Sequence, residues 1–110
     1  MPENSERPRA EVQDLSALVA YQPGSVVSRM LLKKPSGSVT LFAFARGEGL
    51  SEHTAPFDAL VYVAEGEAEI TIGGTPYRVG EGQTITLPAG VPHAVHAAAD
   101  FKMMLVMLRA

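Results

Sequence analysis

From Glu67 to Ile72 the chain reads EAEITI, polar and apolar in strict turn, the pattern of a strand with one face in a core and one in water. Similar short runs fill most of the sequence: SVVSRMLLK (25–33), SVTLFAFAR (38–46), LSEHT (50–54), DALVYVA (58–64), PYRV (76–79), TITLP (84–88), VPHAVHA (91–97) and FKMMLVMLR (101–109). Breakers separate them: Lys34-Pro35-Ser36-Gly37, Gly47 and Gly49, Pro56, Glu65-Gly66, and Gly73-Gly74, the last a hairpin signal. Strands recurring every ~8–12 residues with no long helix between them predict an all-β sandwich or barrel. Upstream, Leu15, Leu18 and Val19 share a face at helical spacing behind Asp14, a residue suited to cap a short helical turn. Gln22-Pro23-Gly24 ends it. The expected organisation is an arm and short helix over 1–23, the arm flexible to about residue 11, followed by one folded domain over 24–110.

The last segment departs from simple alternation. Phe101, Met103, Leu105 and Met107 fall on one face, and Met104, Val106 and Leu108 on the other. One face can fill a barrel; the other needs a cover. A homodimer supplies that cover, with the N-terminal helix able to take part of it.

Composition narrows the function classes. At 110 residues and 46% hydrophobic, the chain has enough for one sizeable core. Nine basic against twelve acidic residues give a net charge of −3 with no basic run, which argues against nucleic acid as a partner. With no cysteine, disulfides, zinc–thiolate sites and thiol catalysis are excluded. The polar opening MPENSERPRA lacks a signal-peptide core, and the apolar run Met103–Leu108 is too short to cross a bilayer as a helix. A soluble cytoplasmic protein with no membrane partner is the expectation.

Two stretches carry chemistry. In GEGLSEHTAPFDALVYVAEG (47–66), Gly47, His53 and Gly66 are separated by five and twelve residues; in GQTITLPAGVPH (82–93), Gly82 leads to Pro88-Ala89-Gly90 and then His93. The glycines suit sharp turns with positive φ, and Pro88-Ala89-Gly90 suits a reversal that aims His93 towards His53. These segments resemble the two motifs of the cupin superfamily, the fifteen residues between Gly66 and Gly82 matching its compact bacterial members. The resemblance spans roughly 38–108 and implies an antiparallel double-stranded β-helix, a jelly-roll barrel. It also implies a site inside the barrel: cupins commonly hold a metal with three histidines and a glutamate. Here the second histidine of the first motif is Ala55, its glutamate aligns with Ala59, and the asparagine after the second motif is Ala97. His53 and His93 remain.

Two imidazoles suit Fe, Mn, Zn, Ni or Cu, but such ions normally take at least three protein ligands. Asp58 adjoins the lost glutamate position, and His96 follows His93 by three residues; either is a candidate third ligand. Alternation opposes both, because inward Ala59, Val61 and Val63 turn Asp58 out, and inward His93, Val95 and Ala97 turn His96 out. An irregularity near Pro56, or a bulge, would reset that parity. A metal ion and no cofactor at all are both compatible with this set, the latter leaving two buried histidines bonded to backbone or water. Glu52, Glu65 and Glu67 read as solvated, Tyr62 and Tyr77 as packing residues, and the methionines as core filling. Ser51 lacks the base and orienting partner of a nucleophile.

Three functions follow. The favoured one is a small cupin with a histidine-bearing pocket for a small organic ligand, walled by His53, His93, Ala55, Ala59, Val61 and Val95, with or without a divalent metal. The second is a metal-dependent cupin enzyme of dioxygenase, isomerase or decarboxylase type using His53 and His93. The third is a non-catalytic structural dimer. Cupin resemblance alone does not choose among reactions, since the fold hosts many.

Overall fold

The computed structural model describes residues 9–109. Nine strands run β1 (Val26–Lys34), β2 (Gly37–Phe44), β3 (Gly49–His53), β4 (Asp58–Glu65), β5 (Glu67–Ile72), β6 (Thr75–Gly80), β7 (Thr84–Leu87), β8 (His93–His96) and β9 (Phe101–Leu108). They form two antiparallel sheets, a larger one in the order β1-β2-β9-β4-β7 and a smaller one in the order β3-β8-β5-β6. The alternation in β5 is realised as expected: Ala68 and Ile70 are fully buried, whereas Glu67 is exposed. Gly73 and Gly74, at φ 55° and 85°, close the two-residue hairpin from β5 to β6, where both positions require the left-handed region.

The inner faces of the two sheets share one core. Phe44 and Phe101 stack with ring centroids 4.7 Å apart, surrounded by Val61, Val63, Ile70, Val79 and Met103. β9 lies between β2 and β4 in the larger sheet, which explains its two apolar faces. Phe101, Met103, Leu105 and Met107 join the barrel core, while Met104 belongs to a second cluster on the outer face with Leu41, Ala43 and Val19.

That second cluster is where the N-terminal segment docks. Leu15–Leu18 forms a single turn of 3-10 helix, and Leu15, Leu18, Val19 and Tyr21 cover part of the outer face. Asp14 occupies the cap position, but its side chain makes no capping bond; the turn is closed by its backbone carbonyl, which accepts from Ala17 N at 3.1 Å. Three side chains fasten the segment. Tyr21 donates to Glu65 at 2.5 Å, Lys102 Nζ donates to the Ser16 carbonyl at 2.6 Å, and the same ammonium lies 4.9 Å from the Tyr21 ring centre. Lys102 is only 9% exposed, so its charge is compensated by this carbonyl, this ring and Glu65 at 3.8 Å. Among the described residues no helix is long and apolar enough to cross a membrane. The expected flexible arm lies mostly outside the described residues.

Candidate functional site

His53 ends β3 and His93 begins β8, and the two are cross-strand partners in the smaller sheet. A strictly regular ladder would not pair them. From the pair Leu50 and Val95, two steps along β8 reach His93 but three along β3 reach His53, so β3 carries an irregularity between Leu50 and His53. Leu50 packs against the core, and simple alternation from it would turn His53 outward. The extra residue brings His53 back to the side of His93.

His93 is delivered from the other direction. The Val91 amide donates to the Pro88 carbonyl at 3.3 Å, and Gly90 has φ 76°, the third position of a type II turn. The turn is held from the β3–β4 connection: Gly90 N donates to the Ala55 carbonyl and Ala89 N to Asp58 Oδ1, both at 2.9 Å. Asp58 therefore fixes the loop that aims His93.

The two rings meet edge to face, centroids 4.3 Å apart, with their Nε2 atoms separated by 3.1 Å. His93 is 8% exposed; His53 is open to solvent. His53 Nδ1 lies 2.7 Å from the Ser51 carbonyl oxygen, which can only accept, so Nδ1 carries the proton and Nε2 presents a lone pair. His93 Nε2 then donates to it in the neutral pair. His93 Nδ1 is 3.3 Å from the Val91 carbonyl, close enough to donate there once it carries a proton. Burial pushes the His93 imidazole below its ordinary range; the Val91 carbonyl works against that shift and charge on His53 adds to it.

The same geometry can receive a cation. With the His93 proton on Nδ1, facing Val91, both Nε2 lone pairs converge, and 3.1 Å suits neighbouring nitrogens each about 2.1 Å from one ion. Backbone carbonyls behind both Nδ1 atoms orient the rings as metal-binding histidines are commonly oriented. The protein donors stop at two. Among the described residues there is no group of three His, Cys, Asp or Glu placed to hold a metal. Neither candidate for a third ligand joins the pair: Asp58 is bonded to Ala89, and His96 is exposed on the outer face of the smaller sheet, opposite Gly49 and Glu69. No irregularity resets the parity of either.

Residues 40–109 match the cupin domain family. The chain is a cupin. Its sequence is 32% identical over 96 residues to an uncharacterized protein of Streptomyces coelicolor, covering 87% of this chain and 90% of that one. A conserved Streptococcus pyogenes protein of unknown function is 39% identical in crystal, with a TM-score of 0.89 over 96% of this cupin and 92% of that chain. A cupin 2 conserved barrel domain protein from Leptotrichia buccalis is 41% identical with a TM-score of 0.83, over 86% of this chain and 46% of the longer one.

Within this cupin the positions of the missing ligands are taken up structurally. Ala59 is 8% exposed, paired with Leu87 and Met107, and part of the core. Ala55 is half-buried and holds the turn before His93 through its carbonyl. Val61, Val63 and Val95 face inward and pack in the core cluster, and Ala97 is buried with them. Gly47, Gly66, Gly82 and Gly90 all have positive φ, as the motif spacing leads one to expect. No local pattern along the chain announces the Tyr21–Glu65–Lys102 clasp. Tyr21 and Glu65 lie 44 residues apart along the chain, Ser16 and Lys102 lie 86 apart, and Glu65 reads locally as a solvated turn residue.

Proposed function

We propose that this cupin binds a small organic ligand at the barrel end bearing His53 and His93, and that the two imidazoles can hold a divalent ion there. One observation carries the reading: two Nε2 atoms from neighbouring strands meet at 3.1 Å, each ring backed by a carbonyl, at the edge of an otherwise apolar interior. A bound ion would supply Lewis acidity. The protein's own contribution is to aim the two imidazoles, hold the Nδ1 protons on Ser51 and Val91, and leave the remaining coordination positions to water or ligand. Two protein ligands instead of the usual three or four favour a ligand-binding cupin over a committed metalloenzyme.

Elemental analysis of untagged protein tests the metal part directly. After incubation with Fe, Mn, Zn, Ni or Cu and desalting, about one equivalent should remain on the wild type and none on His53→Ala or His93→Ala. Retention by both variants, or no uptake by the wild type, would remove the metal from the proposal. Binding should also weaken below about pH 6, because the ion must displace the imidazole protons.

A further inference from the structure

A recess lies where the β1–β2 hairpin, the β3–β4 connection and the end of β9 come together. Met30, Phe57 and Met107 form its apolar wall, Lys33, Lys34 and Arg109 its rim, and its volume is about 210 Å³. Neither His53 nor His93 lines it.

Its chemistry runs against that of the molecule around it. The chain carries net charge −3, yet among the described residues three cations and no carboxylate border this cavity. Among the described residues none of the three cations has a carboxylate within ion-pair distance. Arg109 is also held in place: its backbone N–H donates to the Ser36 carbonyl at 2.8 Å, and its guanidinium stands 5.0 Å from the Phe57 ring centre. A guanidinium fixed over an aromatic ring keeps its outer N–H groups free for a planar anion. Below it, Met30 is 53% exposed although it is a large apolar side chain on a strand. Methionine adapts readily to the shape of a guest.

We propose that this recess binds a small organic anion, a carboxylate joined to an aromatic or branched aliphatic body. The carboxylate would meet Arg109 and Lys33 at the rim while the apolar body covers Met30, Phe57 and Met107. The cavity has room for about ten non-hydrogen atoms at organic packing density. A bare inorganic anion would leave the apolar wall uncovered, and a neutral isostere would leave the cations unanswered.

Benzoate, benzamide and inorganic phosphate are suitable probes, read out by methyl NMR of methionine-labelled full-length protein. Benzoate should shift the Met30 and Met107 methyl signals, with a Kd on the order of 1 mM, and leave core-sealed Met103 in place. Benzamide should bind at least about tenfold more weakly, and Arg109→Gln and Lys33→Gln should each weaken benzoate by about three- to tenfold. Both variants alter exposed side chains, so unchanged melting temperatures will certify their folding. The proposal fails if Met30 and Met107 stay unmoved up to about 50 mM benzoate. It fails equally if benzamide matches benzoate or if phosphate displaces it at equal concentration. Because neither histidine lines the recess, the metal assay on His53 and His93 stands or falls separately.

Discussion

At the residue scale, His93 links stability to pH. Its folded-state proton affinity lies below that of an unfolded imidazole, whose ordinary value is 6.5. A depressed value means that the neutral form stabilises the fold. That contribution is complete above about pH 6.5 and is lost as pH falls through the lower, folded value. The melting temperature of metal-free protein should therefore drop between about pH 7 and pH 5, and His93→Gln should flatten that part of the curve. An unchanged profile in the variant would assign the acid sensitivity to other groups. Tyr21 shows the opposite sign. Burial first, then its bond to Glu65, raises the phenol above its usual range, so its stabilising effect is present at neutral pH and is lost only in strong alkali. Tyr21→Phe removes a donor from a half-buried carboxylate and should cost about 1–2 kcal/mol in urea unfolding. A loss within error would show that the clasp rests on Lys102 alone.

Between strands, the fold depends on places where the chain leaves the ladder. Gly66, at φ 78°, joins β4 to β5, and a Cβ there would run into the Asp100 carbonyl and Phe101. Gly24 has a similar φ of 71° but open space around it. Comparing the two separates strain from collision. Gly24→Ala should cost about 1–2 kcal/mol from the left-handed backbone alone, and Gly66→Ala clearly more, beyond about 3 kcal/mol. Equal losses would mean that the β4–β5 turn relaxes around the added methyl. The irregularity in β3 is the other departure, and it governs function: one extra residue decides which side of the sheet His53 occupies. Alternation could place Asp58 and His96 on the outside from sequence, because β4 and β8 are regular there. It could not locate the extra residue in β3, which has no glycine or proline between Leu50 and His53 to announce it.

At the scale of the molecule, the described residues cover the outer face of the larger sheet only in part. The N-terminal segment protects Leu41, Ala43 and Met104. Beside them a cross-strand row runs Leu32, Val39, Val106, Leu60, with Leu32 45% and Leu60 40% exposed and Leu108 59% exposed nearby. A contiguous apolar row on a sheet face suits a self-complementary contact about a two-fold axis. Sedimentation at about 10 μM should give a dimer for the wild type and a monomer for Leu60→Lys combined with Leu108→Lys. A monomeric wild type would leave this face without a partner of its own kind.

Periodicity and turn residues determined an all-β sandwich or barrel, and the resemblance to the cupin motifs made it the barrel. Period-two alternation sets which residues face the core, and glycines with positive φ and Pro88-Ala89-Gly90 set where the chain reverses. Those rules act between neighbours in the chain, so they can be read along it. The resemblance to the cupin motifs placed Ala55 and Ala59 where a fuller metal cage would need ligands. Only the tertiary structure decided the rest. The 3.1 Å meeting of His53 and His93, Asp58's bond to the Ala89 amide, the Lys102 clasp and the cationic recess under Arg109 all join residues far apart in sequence. Contacts of that kind depend on register and loop closure, to which a single added residue makes the difference between facing in and facing out.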